Sequence, residues 1–186
     1  MSEPSWTPEP EHDRTIEENW LFTLRREGFR SRESGRTHGF YVIHVADAVS
    51  VIAVTPDRRV LMVRQFRAGS RGDSLEFPGG LIDSGEDATT AAVRELLEET
   101  GYAGDPPVIL NAVWANPSIL SSRITTVLVE NARPVAETSF DEHEELSVEL
   151  VPEGDLPAMV VDGRIDHALV VLGLLVWQTR RDAPSP

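Results

Sequence analysis

The sequence contains no cysteine and no lysine. Without cysteine, neither a disulfide framework nor thiol chemistry is open to the chain. Without lysine there is no amine for a Schiff base and no P-loop lysine for a phosphate; all 17 basic residues are arginine. Positive charge is scarce altogether. Against 31 acidic residues it leaves a formal net charge of −14, which sets the chain against a nucleic-acid backbone as partner. A phosphate-bearing ligand must then be met locally, by particular arginines and by a bound cation. Long apolar runs are missing too: the longest, Ala168 to Trp177, is too short to span a bilayer. The opening residues, MSEPSWTPEPEHDR, have neither the basic start nor the apolar centre of a signal peptide. A cytoplasmic protein without a membrane partner is expected.

What is present, 40% hydrophobic and 26% charged residues over 186 positions, suits one globular domain with a small appendage. Residues 1–14 are rich in proline and acid without periodicity and read as a flexible tail, with Trp6 an incidental aromatic. Residues 15–45 carry the strand-like runs NWLFTLRREGF and GFYVIHV, an N-terminal β segment. Residues 46–186 form the main domain. There the pattern predicts strands over Ala48–Val54 and Val60–Phe66, and later in VILNAVW, ITTVLVE and LSVELV. A helix is predicted ahead of Gly101, and another up to about Arg180. Strands and helices interleaved in this way predict an α/β fold, a sandwich around a mixed sheet.

The stretch that organises the rest is GLIDSGEDATTAAVRELLEETGY, Gly80 to Tyr102. At about 100° per residue, Glu95, Glu98 and Glu99 fall within an arc of roughly 100° on one helix face. Ala92, Val93, Leu96 and Leu97 take the other side. Glu95 and Glu99 are a like-charge i,i+4 pair, which costs a helix about 0.2–0.5 kcal/mol. By the residues alone, such a cluster is either a solvated face or a cation site. Oxygen donors without Cys or His suit Mg²⁺, with Mn²⁺ possible, and argue against zinc. Pro78, Gly79 and Gly80 permit a close backbone approach before the helix, and Gly101 a left-handed stop after it.

Gly80, Glu86, Arg94, Glu95, Leu96, Glu98, Glu99, Gly101 and Tyr102 fill every position of the signature of the Nudix hydrolases, and the segment is identified with that family; Tyr102 stands where an aliphatic residue is commoner. The resemblance implies a Nudix-type α/β/α sandwich with a loop-helix-loop catalytic motif. It also implies Mg²⁺-dependent hydrolysis of a diphosphate linkage, with Glu95, Glu98, Glu99 and the Gly79 carbonyl as metal ligands. Over residues 16–180 the chain resembles the branch that acts on ADP-ribose and nucleotide sugars. Pro117 sits sixteen residues after Gly101, where that branch carries a marker proline, and DEHEELSVELV and DGRIDHALVVLGLLVW resemble its acidic loop and terminal helix. Asn116-Pro117-Ser118 and Ser122 depart from the branch's usual Ser-Pro-Gly and following acid, which leaves the base and sugar preference open.

The same resemblance implies that Arg67 reaches substrate, that Glu76 lies beside the site, and that Arg94 braces the loop through Glu86. For Arg67 and Glu76 the residues alone also admit a surface charge and a strand-end charge. Glu142 or Glu144, the latter preferred, would orient or deprotonate the attacking water, and His143 between them is read as idle. His12, His38, His44 and His167 show no ligand spacing. The N-terminal β segment would pair two copies into a homodimer. ADP-ribose would be split to AMP and ribose 5-phosphate. The alternatives are another nucleotide sugar or dinucleotide as substrate, or a nucleotide-sugar-sensing module without catalysis.

Overall fold

Isoleucine 52 and its neighbours in the strand Ala48–Ala53 show how the main layer is built, because alternate side chains there enter two different cores. The computed structural model describes residues 3–139 and 145–182. Its chain divides into two units, Met1–Ala46 with Trp114–Arg123, and Asp47–Val113 with Ile124–Pro186.

In the first unit, strands β1 (Trp6–Pro8), β2 (Arg14–Glu18), β3 (Thr23–Ser31) and β4 (Thr37–His44) form one antiparallel sheet. β4 pairs along β3 from Thr23↔His44 to Arg30↔Thr37. That fills one edge of β3, so β2 (Arg14↔Arg26 to Glu18↔Thr23) and β1 (Trp6↔Ser31 to Pro8↔Phe29) share the other. The expected tail is therefore corrected: residues 6–8 and the short 3₁₀ turn Pro10–His12 are folded onto the sheet. The reason lies in contacts that composition hides. Trp6 stands edge-on to Phe40 at 5.2 Å, and Phe40 edge-on to Phe29 at 5.6 Å. The Glu9 N–H donates to the Gly28 carbonyl (2.8 Å), while its carboxylate accepts from Arg30 and from the Thr37 hydroxyl. The turn Trp114–Arg123 also belongs here, for Ile119 accepts the Ile43 N–H (2.8 Å) and Ser121 donates to the Ile43 carbonyl (3.1 Å).

In the second unit, β5 (Ala48–Ala53), β6 (Arg59–Arg67), β7 (Gly72–Glu76), β9 (Val108–Trp114), β10 (Arg123–Val129) and β12 (Leu146–Pro152) make two three-stranded sheets; the order is β5-β10-β9 in one and β12-β6-β7 in the other. Between them in sequence come β8 (Tyr102–Ala103) and β11 (Arg133–Pro134), which pair with each other. β5 and β10 run parallel, from Ile124↔Ala48 to Val129↔Ala53, whereas β12 and β7 flank β6 antiparallel. The sheets are thus mixed.

Val49, Val51 and Ala53 pack with Leu61, Val127 and Val129 against Ala91, Ala92 and Leu96 of helix α1 (Ala88–Thr100). Ile52 points the other way. With Val60, Met62 and Leu75 it packs on Leu156 and Met159 of α2 (Leu156–Val161) and on Val170, Leu174 and Trp177 of α3 (Ala168–Asp182). The period-2 alternation of β5 and β6 sends apolar side chains to both faces, so helices must cover both. That is the α/β/α sandwich. Among the described residues, no helix is long and apolar enough to cross a membrane.

Candidate active site

Helix α1 begins where Asp87 caps it: the carboxylate accepts from the N–H groups of Thr89 and Thr90, both at 2.9 Å. These bonds, with the Thr89 hydroxyl foremost, push the Asp87 carboxyl down from its ordinary 3.8 to about 2. The cap therefore stabilises the fold above pH 3.8, and that contribution is lost as pH falls through about 2. Asp87→Ala is expected to lower the melting temperature by a few degrees at pH 7. The difference from wild type should narrow on acidification across that window, and a pH-independent difference would contradict it. At the other end Gly101, with φ of 71°, donates its N–H to the Leu97 carbonyl (2.8 Å). A Cβ there would lie 2.3 Å from the Ala136 carbonyl oxygen, so the left-handed stop and the close approach both require glycine.

The segment before the helix is laid along β5. Val51 donates to the Pro78 carbonyl (2.8 Å), Val49 to Gly80 (2.9 Å) and Ile82 to Asp47 (2.8 Å). A Cβ on Gly79 would sit 2.2 Å from the Val49 carbonyl oxygen, and one on Gly80 would sit 2.4 Å from Glu95 Oε1. The two glycines thus press the loop onto the strand and leave room for a carboxylate behind it.

The three acids of the helix have different surroundings. Glu99 is 2% exposed, and its Oε2 accepts the Gly79 N–H at 2.8 Å. Glu95, also buried, takes Arg94 Nη1 at 2.8 Å. Glu98, with 45% of its side chain exposed, meets the same Nη1 at 3.2 Å. Arg94 also forks onto Glu86, Nε to Oε1 at 3.1 Å and Nη2 to Oε2 at 2.9 Å, and reaches the Leu81 carbonyl at 3.1 Å. Glu86 first, then Glu95 and Glu98, push the Arg94 guanidinium far up, while the Arg94 hydrogen bond holds the Glu86 carboxyl below its usual range. The expected Arg94–Glu86 brace is present. The grip on Glu95 and Glu98 comes in addition to that brace, and of the two only Arg94–Glu98, at i,i+4, is a legible helical pair.

The donors suit a hard divalent cation, being carboxylates with backbone oxygen nearby. Yet Glu95, Glu98 and Glu99 are not drawn into one group: among the described residues, the three-residue set with ligand atoms within 4.8 Å of one another is Glu9, Glu11 and His12 of the first unit. Arg94 occupies the position of internal counterion for Glu95 and Glu98 instead.

Arg67 and Glu76 come together. Nε donates to Oε1 at 2.8 Å and Nη2 to Oε2 at 2.9 Å, a bidentate pair with the carboxylate side chain 7% exposed and the arginine half exposed. Burial pushes the Glu76 carboxyl up, but the Arg67 hydrogen bond and charge outweigh it and hold the group below its usual range. Pro117 lies in the turn Trp114–Arg123 of the first unit. Glu142, His143 and Glu144 fall outside the described residues. A surface depression of about 420 Å³, lined by Arg64, Phe66, Asp73, Glu145 and Ser147 among others, lies at the ends of β6, β7 and β12.

A family model described as the NUDIX domain matches residues 44–170. The ADP-ribose pyrophosphatase of Saccharomyces cerevisiae is 41% identical over 103 residues, covering 51% of this chain and 44% of that protein. The ADP-sugar pyrophosphatase of Mus musculus is 37% identical over 122 residues, covering 60% and 55%. The chain thus spans about half the length of these curated relatives. A solved structure described as an ADP compounds hydrolase superposes with a TM-score of 0.81 at 24% identity, over 97% of this chain and 99% of that one. At that identity the likeness speaks for the fold.

Proposed function

Because the chain belongs to the NUDIX family, whose members generally use a divalent metal ion, we propose that it is a Mg²⁺-dependent hydrolase of nucleoside diphosphate derivatives, cleaving ADP-ribose and water to AMP and ribose 5-phosphate. The observation that carries this reading is the intact loop-helix-loop, with Glu99 fixed by the Gly79 N–H and Glu95 and Glu98 gathered by one arginine. The names of the two relatives, an ADP-ribose and an ADP-sugar pyrophosphatase, support the substrate class. Glu95, Glu98, Glu99 and the Gly79 carbonyl would hold Mg²⁺, or Mn²⁺ in its place. A bound ion would supply charge neutralisation at the diphosphate and a water of lowered pKa. Arg67, fixed at the end of β6, would meet the substrate's phosphate and orient it. Glu142 or Glu144 would take the proton of the attacking water.

Two copies are proposed to pair through the N-terminal sheet, which is supported by Trp20 at 90% exposure with Ile16, Leu21 and Tyr41 also open. Light scattering should give the mass of a dimer, and a monomer that is fully active would sink that part.

The direct test is a panel of ADP-ribose, other nucleotide sugars and dinucleotides with Mg²⁺, products resolved by chromatography, repeated with Glu142→Gln and Glu144→Gln. ADP-ribose is expected to be cleaved fastest. Preference for a dinucleotide would favour a broader ADP-compound hydrolase, and cleavage of nothing with Mg²⁺ or Mn²⁺ would overturn the reading in favour of a sensing module.

A further inference from the structure

His167 stands outside every role assigned above. It directly precedes α3, and its carbonyl accepts the N–H groups of Val170 (3.0 Å) and Val171 (3.1 Å), so its backbone is fixed at the amino end of that helix. The ring is turned toward Glu76, with Nε2 3.8 Å from Oε2, the oxygen that also accepts Arg67 Nη2–H. Nδ1 is buried with no hydrogen-bond partner.

These facts select a tautomer. A proton on Nδ1 would bury an N–H donor without an acceptor, close to a helix terminus whose own N–H groups already carry partial positive charge. A proton on Nε2 faces a carboxylate instead. The ring therefore presents a donor to Glu76. At 3.8 Å it is too far for a hydrogen bond while Arg67 is in place.

That spacing has a use once Arg67 is needed elsewhere. When Arg67 turns from Glu76 to a substrate phosphate, the buried carboxylate would keep the Ser74 hydroxyl but lose its counter-charge, which is strongly unfavourable. A shift of about 1 Å would bring Nε2–H to bonding distance of Oε2. We propose that His167 is a positioning residue that takes over the Glu76 carboxylate as Arg67 leaves it, and so sets how readily Arg67 reaches substrate. The proposal rests on the hydrolase reading above for the departure of Arg67 to substrate and its kinetic consequence, while the response of His167 to loss of Arg67 stands apart from it.

Two measurements test it. Nitrogen-15 NMR of the ligand-free protein should show the Nε2–H tautomer, and in Arg67→Ala the His167 Nε2 proton should move downfield as it bonds to Glu76. An Nδ1–H tautomer, or no shift in Arg67→Ala, overturns the proposal without any substrate. In ADP-ribose hydrolysis with Mg²⁺, His167→Ala should raise KM about tenfold with kcat within about twofold. His167→Gln, which keeps a side-chain N–H donor, should restore most of the loss. In a Glu76→Gln background His167→Ala should add nothing, since no buried charge remains to be held. Equal losses in both backgrounds, or a loss in kcat alone, overturn the proposal. Absence of hydrolysis by the wild type overturns the hydrolase reading instead, and the NMR result still decides the role of His167.

Discussion

Glu98→Gln and Glu99→Gln are each expected to reduce kcat for ADP-ribose by more than about a hundredfold while the protein stays folded. Loss of a group that merely supports a metal ligand costs about 10- to 100-fold in affinity or activity, so loss of a ligand carboxylate must cost more. The fold should tolerate both changes for different reasons. Glu98 is half exposed, and Arg94 keeps its contacts to Glu86 and Glu95 without it. Glu99 is buried and accepts the Gly79 N–H, and a glutamine carbonyl oxygen at the same place can accept that bond without a buried charge. Melting temperatures should therefore stay near wild type without metal, while calorimetric binding of Mg²⁺ weakens in both variants. Near-normal turnover in two folded variants would overturn the proposal that these glutamates hold a metal ion.

The two acids also show which parts of the site are legible in the sequence. That Glu95, Glu98 and Glu99 share a helix face follows from 3.6 residues per turn, and the glycines before and after follow from backbone geometry. The interleaving of strands and helices gave the α/β class, and the two-sided burial of β5 follows from its apolar run, interrupted at Ser50 alone. Interactions that depend on strand register were not legible. In the hairpin of β6 and β7, Val63 lies opposite Glu76, Gln65 opposite Ser74 and Arg67 opposite Gly72, so Arg67 and Glu76 share a face. Only with that register known do the two long side chains fall within reach. His167 is further removed, since no periodicity links the start of α3 to the end of β7. The fold of residues 6–12 is hidden in the sequence for a related reason: Trp6 and Glu9 find their partners, Phe40, Arg30 and Thr37, across a sheet whose pairing composition does not encode.

Arg94→Ala is expected to abolish most activity and to lower the melting temperature by several degrees, more in the absence of Mg²⁺ than in its presence. The guanidinium performs two tasks. One is anchoring, through the fork on Glu86 and the bond to the Leu81 carbonyl, which hold the loop before the helix. The other is compensating the charges of Glu95 and Glu98, which share its Nη1. A cation bound by those acids can replace the second task but not the first. The deficit relative to wild type should accordingly shrink, without vanishing, when Mg²⁺ is added. Arg94→Lys should recover little, because one ammonium cannot fork onto Glu86 and still reach Glu95, Glu98 and Leu81. Thermal denaturation of the three proteins, with chelator and with saturating Mg²⁺, is the measurement. A deficit identical in both conditions would assign Arg94 to anchoring alone. No deficit in either would mean that neither the loop nor the acidic face depends on this arginine.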